Sequence, residues 1–173
     1  MTADAPAWGQ WTTFYDSTGQ VPSMDRTDSG DGRVVSFTMD DHMVLDVGGD
    51  QDAPFARTMG LSGSLSVSMP DTYPLVGFLL IVGGAVMKSF RSEAAVSCSI
   101  GHSTKSIEWP VGDSGPKDLL DFEVRCLLTD SPPQGVIPQL PPIPITISTQ
   151  IRRRFVDDVA MVRIVDFEVL IVR

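Results

Sequence analysis

Apolar and polar side chains alternate with a period of two through much of this chain. Leu65, Val67 and Met69 alternate with Ser64, Ser66 and Ser68, and Val96, Cys98 and Ile100 with Ser97 and Ser99. Leu120, Phe122, Val124, Cys126 and Leu128 alternate with Asp121, Glu123 and Arg125. Ile143, Ile145, Ile147 and Ile151 alternate with Thr146, Ser148, Gln150 and Arg152. Successive side chains of a strand point to opposite faces, so these segments describe antiparallel sheet with one dry and one wet face. Val35, Phe37, Met39, Met43, Leu45 and Val47 keep one parity around the step Asp40–Asp41–His42. They form either one long bent strand or a hairpin. Residues 94–100 and 106–109 read as two strands around GHSTK, and residues 143–155 and 160–173 as a long closing hairpin.

One segment breaks the rule. In residues 72–90, Leu75, Phe78, Leu79, Val82, Val86 and Phe90 fall at helical spacings. Pro74 suits a first helical turn, with Asp71 or Thr72 as its cap. Lys88 and Arg91 would stand at the C-terminal end, where the helix dipole favours cations. Gly77, Gly83 and Gly84 each weaken a helix by about 1 kcal/mol relative to Ala. A central buried strand is the competing reading, because the run is apolar on all sides. Length favours the helix. The expectation is a β-rich α+β fold: one compact domain over residues 33–173, with antiparallel sheets and one buried apolar helix.

Charge divides the chain. The formal net charge is −9, and residues 1–60 hold ten Asp and three Arg, leaving the remainder nearly balanced. Such a surplus argues against a primary or sequence-specific nucleic-acid binder. Residues 1–32 mix Trp8, Trp11, Phe14 and Tyr15 with Pro, Gly, Asp and Ser, and sustain no period. They read as a flexible acidic arm carrying an aromatic patch suited to self-association. Either that patch is free or it staples the arm to the domain. The N-terminus has neither a basic segment nor an apolar h-region, and residues 75–87 are too short for the roughly 20 residues of a bilayer span. A soluble, intracellular protein is expected.

Committed chemistry is sparse. Cys98 and Cys126 share apolar parities, as buried reduced thiols would, with a cross-strand disulfide as the alternative. No CxxC or Cys/His cluster suggests a metal, and neither a GxSxG elbow nor a phosphate-loop motif is present. No catalytic residue, metal or cofactor is expected. His42 and His102 read as polar surface. Arg152–Arg153–Arg154 is the sharpest basic cluster. On a strand Arg152 and Arg154 share a face, about 7 Å apart, and Arg153 points the other way. The plain reading is charge compensation for Asp157 and Asp158. On an exposed face Arg152 and Arg154 suit an acidic partner, anionic lipid or RNA backbone. Residues 131–144 hold six prolines; Leu140, Pro141 and Pro142 lie in an extended face, either a rigid crossover or a self-association peptide.

The order of these segments resembles a family. An arm leads to an alternating strand and Pro/Tyr turn (SLSVSMPDTYP), an apolar helix (LVGFLLIVGGAVMKSF), short strands, a Pro-rich loop and a β-branched strand (ITISTQIRRRF). Over roughly residues 60–155 the chain resembles the matrix proteins of rhabdoviruses, particularly the short ones of plant-infecting members. That resemblance implies a self-associating α+β domain that condenses a nucleocapsid and coats the inner face of an envelope, in the virion and the host cytoplasm. The lysine-rich arm and PPxY-type motif of animal-virus members are absent, so the membrane or nucleocapsid contact that the resemblance implies is expected from Arg152, Arg154, Lys88 and Arg91. The alternatives are a small viral coat protein with a jelly-roll sandwich and a β-barrel that binds an apolar ligand.

Overall fold

The computed structural model describes residues 5–16, 23–39, 43–48, 54–70, 77–112, 119–129 and 140–172. Among them every regular element is a strand: β1 (Ala7–Asp16), β2 (Met24–Asp28), β3 (Val34–Met39), β4 (Val44–Val47), β5 (Ala56–Ser68), β6 (Gly77–Lys88), β7 (Glu93–Ile100), β8 (Ser103–Trp109), β9 (Leu120–Leu128), β10 (Ile143–Arg152) and β11 (Ala160–Val172). They form two antiparallel sheets. The first runs β1-β5-β10-β7-β8 and the second β2-β3-β11-β6-β9, with β4 also paired to β11. The fold is a β sandwich, not the α+β fold with a helix expected from the sequence.

The alternating segments explain the core directly. Leu65, Ile100, Ile145 and Ile147 of the first sheet and Leu80, Val82, Phe167 and Val169 of the second are all buried and packed in one cluster. Each such side chain contributes about 1.5–3 kcal/mol by leaving water. Phe37 stacks on Phe167 with ring centroids 4.7 Å apart. Cys98 and Cys126 are free and buried, one from each sheet.

The expected helix is strand β6, and the reason is long-range. Its inner residues Phe78, Leu80, Val82 and Val86 face the core. Its outer residues Leu79 and Ile81 are half-buried, and Leu79 sits between Leu127 of β9 and Leu170 of β11. Its outer positions are apolar or glycine although several cross-strand partners there are charged (Glu168 and Arg125 flank Ile81, Asp166 and Glu123 flank Gly83), so the run is apolar all round, which is the composition of a buried helix. The glycines belong to the strand too. A side chain at Gly84 would collide with the Arg163 carbonyl oxygen and the Phe122 ring.

Two further expectations are overturned and one open alternative is decided. Residues 143–155 and 160–173 do not close a hairpin: β10 lies between β5 and β7, and β11 between β3 and β6 in the other sheet. The link at residues 153–159 therefore crosses the sandwich. β3 and β4 pair with the same edge of β11, Leu170↔Val34 and Arg163↔Val44, so they are two parts of one interrupted strand. The stretch expected to be a free arm supplies β1 and β2, which pair with β5 and β3. Arg26 ties these edges across the sandwich, donating from Nη1 to the Gly9 carbonyl (2.5 Å) and from Nη2 to the Trp8 carbonyl (3.0 Å).

Candidate functional site

One end of the sandwich is built from five chain segments: Phe55 before β5, residues 89–92 between β6 and β7, 110–112 after β8, Leu119 before β9, and 153–159 between β10 and β11. Each follows from where a strand runs out of partners. β6 ends at Lys88 opposite Ala160, and β7 begins at Glu93 opposite Arg152. The two crossovers therefore pass side by side.

A buried carboxylate holds them together. Asp158 is 2% exposed. It accepts hydrogen bonds from Ser89 Oγ (3.2 Å), Arg91 Nε (3.0 Å) and the Phe155 amide (3.0 Å). Burying a carboxylate is costly unless it is paired and hydrogen-bonded, and here both conditions are met. Arg91 reaches Asp157 as well, at 3.1 Å. The Ser89 amide donates to the Val159 carbonyl at 2.8 Å, adding a backbone strut.

The arginines separate by burial. Arg153 is 1% exposed; its Nη1 donates to the Val156 carbonyl (2.6 Å) and its guanidinium lies 5.1 Å from the Phe55 ring centroid. Arg152 and Arg154 are exposed. Arg91 lies 4.3 Å above the Phe155 ring, an arginine–aromatic stack. Lys88 is 1% exposed, with Nζ donating to the Ser92 carbonyl at 3.2 Å, so it offers no cation at the surface. Of the four basic residues singled out from the sequence, the structure thus gathers Arg91, Arg152 and Arg154 at one exposed end and places Lys88 beneath them.

Exposed apolar side chains collect at the same end. Among the described residues the large exposed hydrophobics are Phe55, Phe90, Leu119, Leu120, Leu127, Phe155 and Val156, with Phe90 at 62%. All but Leu127 stand at this end. A contiguous apolar patch rimmed by charge marks a contact surface. The sequence hid it, because Phe90 falls at the helical spacing read into residues 72–90 and Phe155 at the end of a segment read as a hairpin strand.

The residues read as self-association candidates are placed differently. Trp8 is 8% exposed and packs edge-on against Phe78. Trp11 lies against Phe37 and Phe167, with centroids 5.8 and 5.4 Å away. Both tryptophans are used in the core. The side chains of Phe14 and Tyr15 lie outside the described residues. Leu140 is half-buried against the core, and Pro141 and Pro142 are exposed before β10, at the opposite end from Arg152. His42 and residues 131–139 lie outside the described residues.

No protein-family model and no curated protein matches this chain. Among solved structures it is similar to a carbohydrate-binding module, TmCBM61 in complex with β-1,4-galactotriose. The identity is 13% and the TM-score 0.35, covering 95% of this chain and 88% of that one. It is also similar to the enzymatically active domain of tailspike protein 4 of bacteriophage CBA120, with 12% identity and a TM-score of 0.29, covering 92% of this chain and 19% of that one. At TM-scores below 0.5, neither likeness carries an argument about this chain.

Proposed function

We propose that the protein is a non-catalytic structural and assembly protein that works through the loop end of its sandwich. The specific role we favour is matrix-type: copies self-associate and link a nucleocapsid to an anionic membrane. One observation supports it, the collection of Phe55, Phe90, Leu119, Leu120, Phe155 and Val156 beside Arg91, Arg152 and Arg154. Exposed apolar side chains interleaved with arginine suit contact with an acidic partner or an anionic interface. The acidic N-terminal third does not abolish this, because charges more than about 8 Å away are largely screened at physiological salt. The segment likened to a matrix-protein helix is strand β6, so the reading rests on this end and not on that likeness.

Electron microscopy and sedimentation at two salt concentrations test assembly, and flotation with anionic liposomes tests the membrane. Wild type should form large species and float. Phe90→Ser with Phe155→Ser should abolish both while leaving the circular dichroism unchanged. Arg152→Ser with Arg154→Ser should weaken flotation roughly thirtyfold, from about 1 kcal/mol per basic residue. A wild type that stays monomeric and fails to float removes this reading.

A further inference from the structure

A groove crosses the outer face of the first sheet near the same end; one part of it shares Phe55, Phe155, Arg152 and Arg154 with the apolar patch, and the other part is polar. Its floor is Ala95 of β7, whose register partners are Glu108 of β8 and Gln150 of β10. The three form one row across the sheet, with strands about 4.8 Å apart, so the small side chain leaves a notch between a carboxylate and an amide. The next row places Glu93 beside Arg152, its carboxylate 3.8 Å from the guanidinium. Glu93, Ala95, Glu108 and Gln150, with Trp109 and Pro110, line a depression of about 230 Å³. A second depression of about 520 Å³ shares Glu93 and continues to Arg152, Arg154, Phe55 and Phe155. Trp109, whose ring packs edge-on against Phe122 at 5.4 Å, closes one limit of the combined groove, and the half-exposed Phe55 and Phe155 stand at the other. Away from the loop end, the rows above the groove are uncharged and carry hydroxyls. Ser97 and Ser148 are hydrogen-bonded at 2.7 Å, and Ser62 and Thr146 at 3.0 Å.

Each ligand class meets this surface differently. The backbones of β7 and β10 are paired on both sides, so no peptide can add there as a strand. A phosphate chain would be drawn to Arg152 and Arg154 in the second depression and repelled by Glu93 and Glu108 in the first, so it does not suit the whole groove. A wholly apolar ligand would strip water from two carboxylates without replacing their hydrogen bonds. A ligand with many hydroxyls and apolar C–H faces meets none of these objections. Its hydroxyls donate to the carboxylates and accept from guanidinium and amide, and its C–H faces pack on the exposed rings of Phe55 and Phe155. We infer that this groove binds a neutral oligosaccharide.

An array of neutral, sialylated and sulfated oligosaccharides identifies the probe, and calorimetric titration with the best neutral one measures it. Glu108→Gln and Gln150→Ala are surface changes that leave the fold intact. Each should weaken binding about tenfold or more, the scale of a lost hydrogen bond to a charged or well-placed polar group. Phe90→Ser lies outside the groove and should leave sugar binding unchanged while impairing assembly, so the two readings fail independently. Absence of neutral-glycan binding at millimolar ligand overturns the inference. So does recognition confined to sulfated or sialylated sugars, and so do wild-type affinities in both groove variants.

Discussion

Arg91 Nε lies 3.0 Å from Asp158 Oδ1, although the two residues are 67 positions apart in the chain. The contact joins the β6–β7 turn to the β10–β11 crossover. It thereby fixes how the exposed phenylalanines of both segments stand relative to one another. Arg91 is half-exposed and Asp158 is buried, so removing the carboxylate takes partners from Ser89, Arg91 and the Phe155 amide at once.

Asp158→Ala is expected to cost about 2 kcal/mol, because buried donors lose a charged acceptor. For a chain of this size that lowers Tm by about 4–8 °C. Thermal unfolding followed by circular dichroism measures it. An unchanged Tm means the network does not hold the loop end.

Trp8 is built into the core, and β1 is paired to β5 from Ala7 to Asp16. Amide exchange should therefore be slow in paired residues of β1, and Trp8→Ala should cost about 3–5 kcal/mol, as large-to-small core changes do. Exchange as fast as that of an unstructured peptide would return this segment to a free arm.

Burial pushes the Cys98 thiol up to about 12, with Cys126 beside it adding to the effect. The reactive thiolate is then almost absent at neutral pH. Native protein should react with thiol reagents only as fast as it opens, and unfolded protein at once. Rapid labelling of the native state contradicts this placement of the pair.

Asp166 has a carboxyl pKa raised by burial, and further by Glu168 and Glu123. In register it faces Glu123 across Gly83, which has no side chain to intervene. A folded-state pKa above the unfolded value means that folding favours the proton. This stabilisation is fully present below the ordinary Asp range and is lost as pH rises through the raised pKa. Asp166→Asn should raise Tm more at pH 7 than at pH 4. An equal change at both pH values would show that the raised pKa is not felt in stability.

The alternation by itself determined most of the strands. Segments such as β7, β9 and β10 carry the two-residue period that one dry and one wet face impose, and a local pattern suffices to show it. The same parity put Cys98 and Cys126 inside and set Arg153 on the face opposite Arg152 and Arg154; that Arg153 is buried is decided by the crossover. Tertiary structure alone decided what depends on partners distant in the chain. β6 is a strand because β9 and β11 pair with it on both edges, and an all-apolar run carries no period to say so. β10 and β11 are adjacent in sequence yet lie in different sheets, since each finds its hydrogen bonds elsewhere. β1 carries no clean alternation, and pairing with β5 orders it. The loop end and the groove are likewise invisible in the sequence. Phe55, Phe90 and Phe155 meet there, as do Glu93, Glu108 and Gln150, only because strand register brings separate segments to one place. Register is set by the whole sheet and not by any one segment's residues.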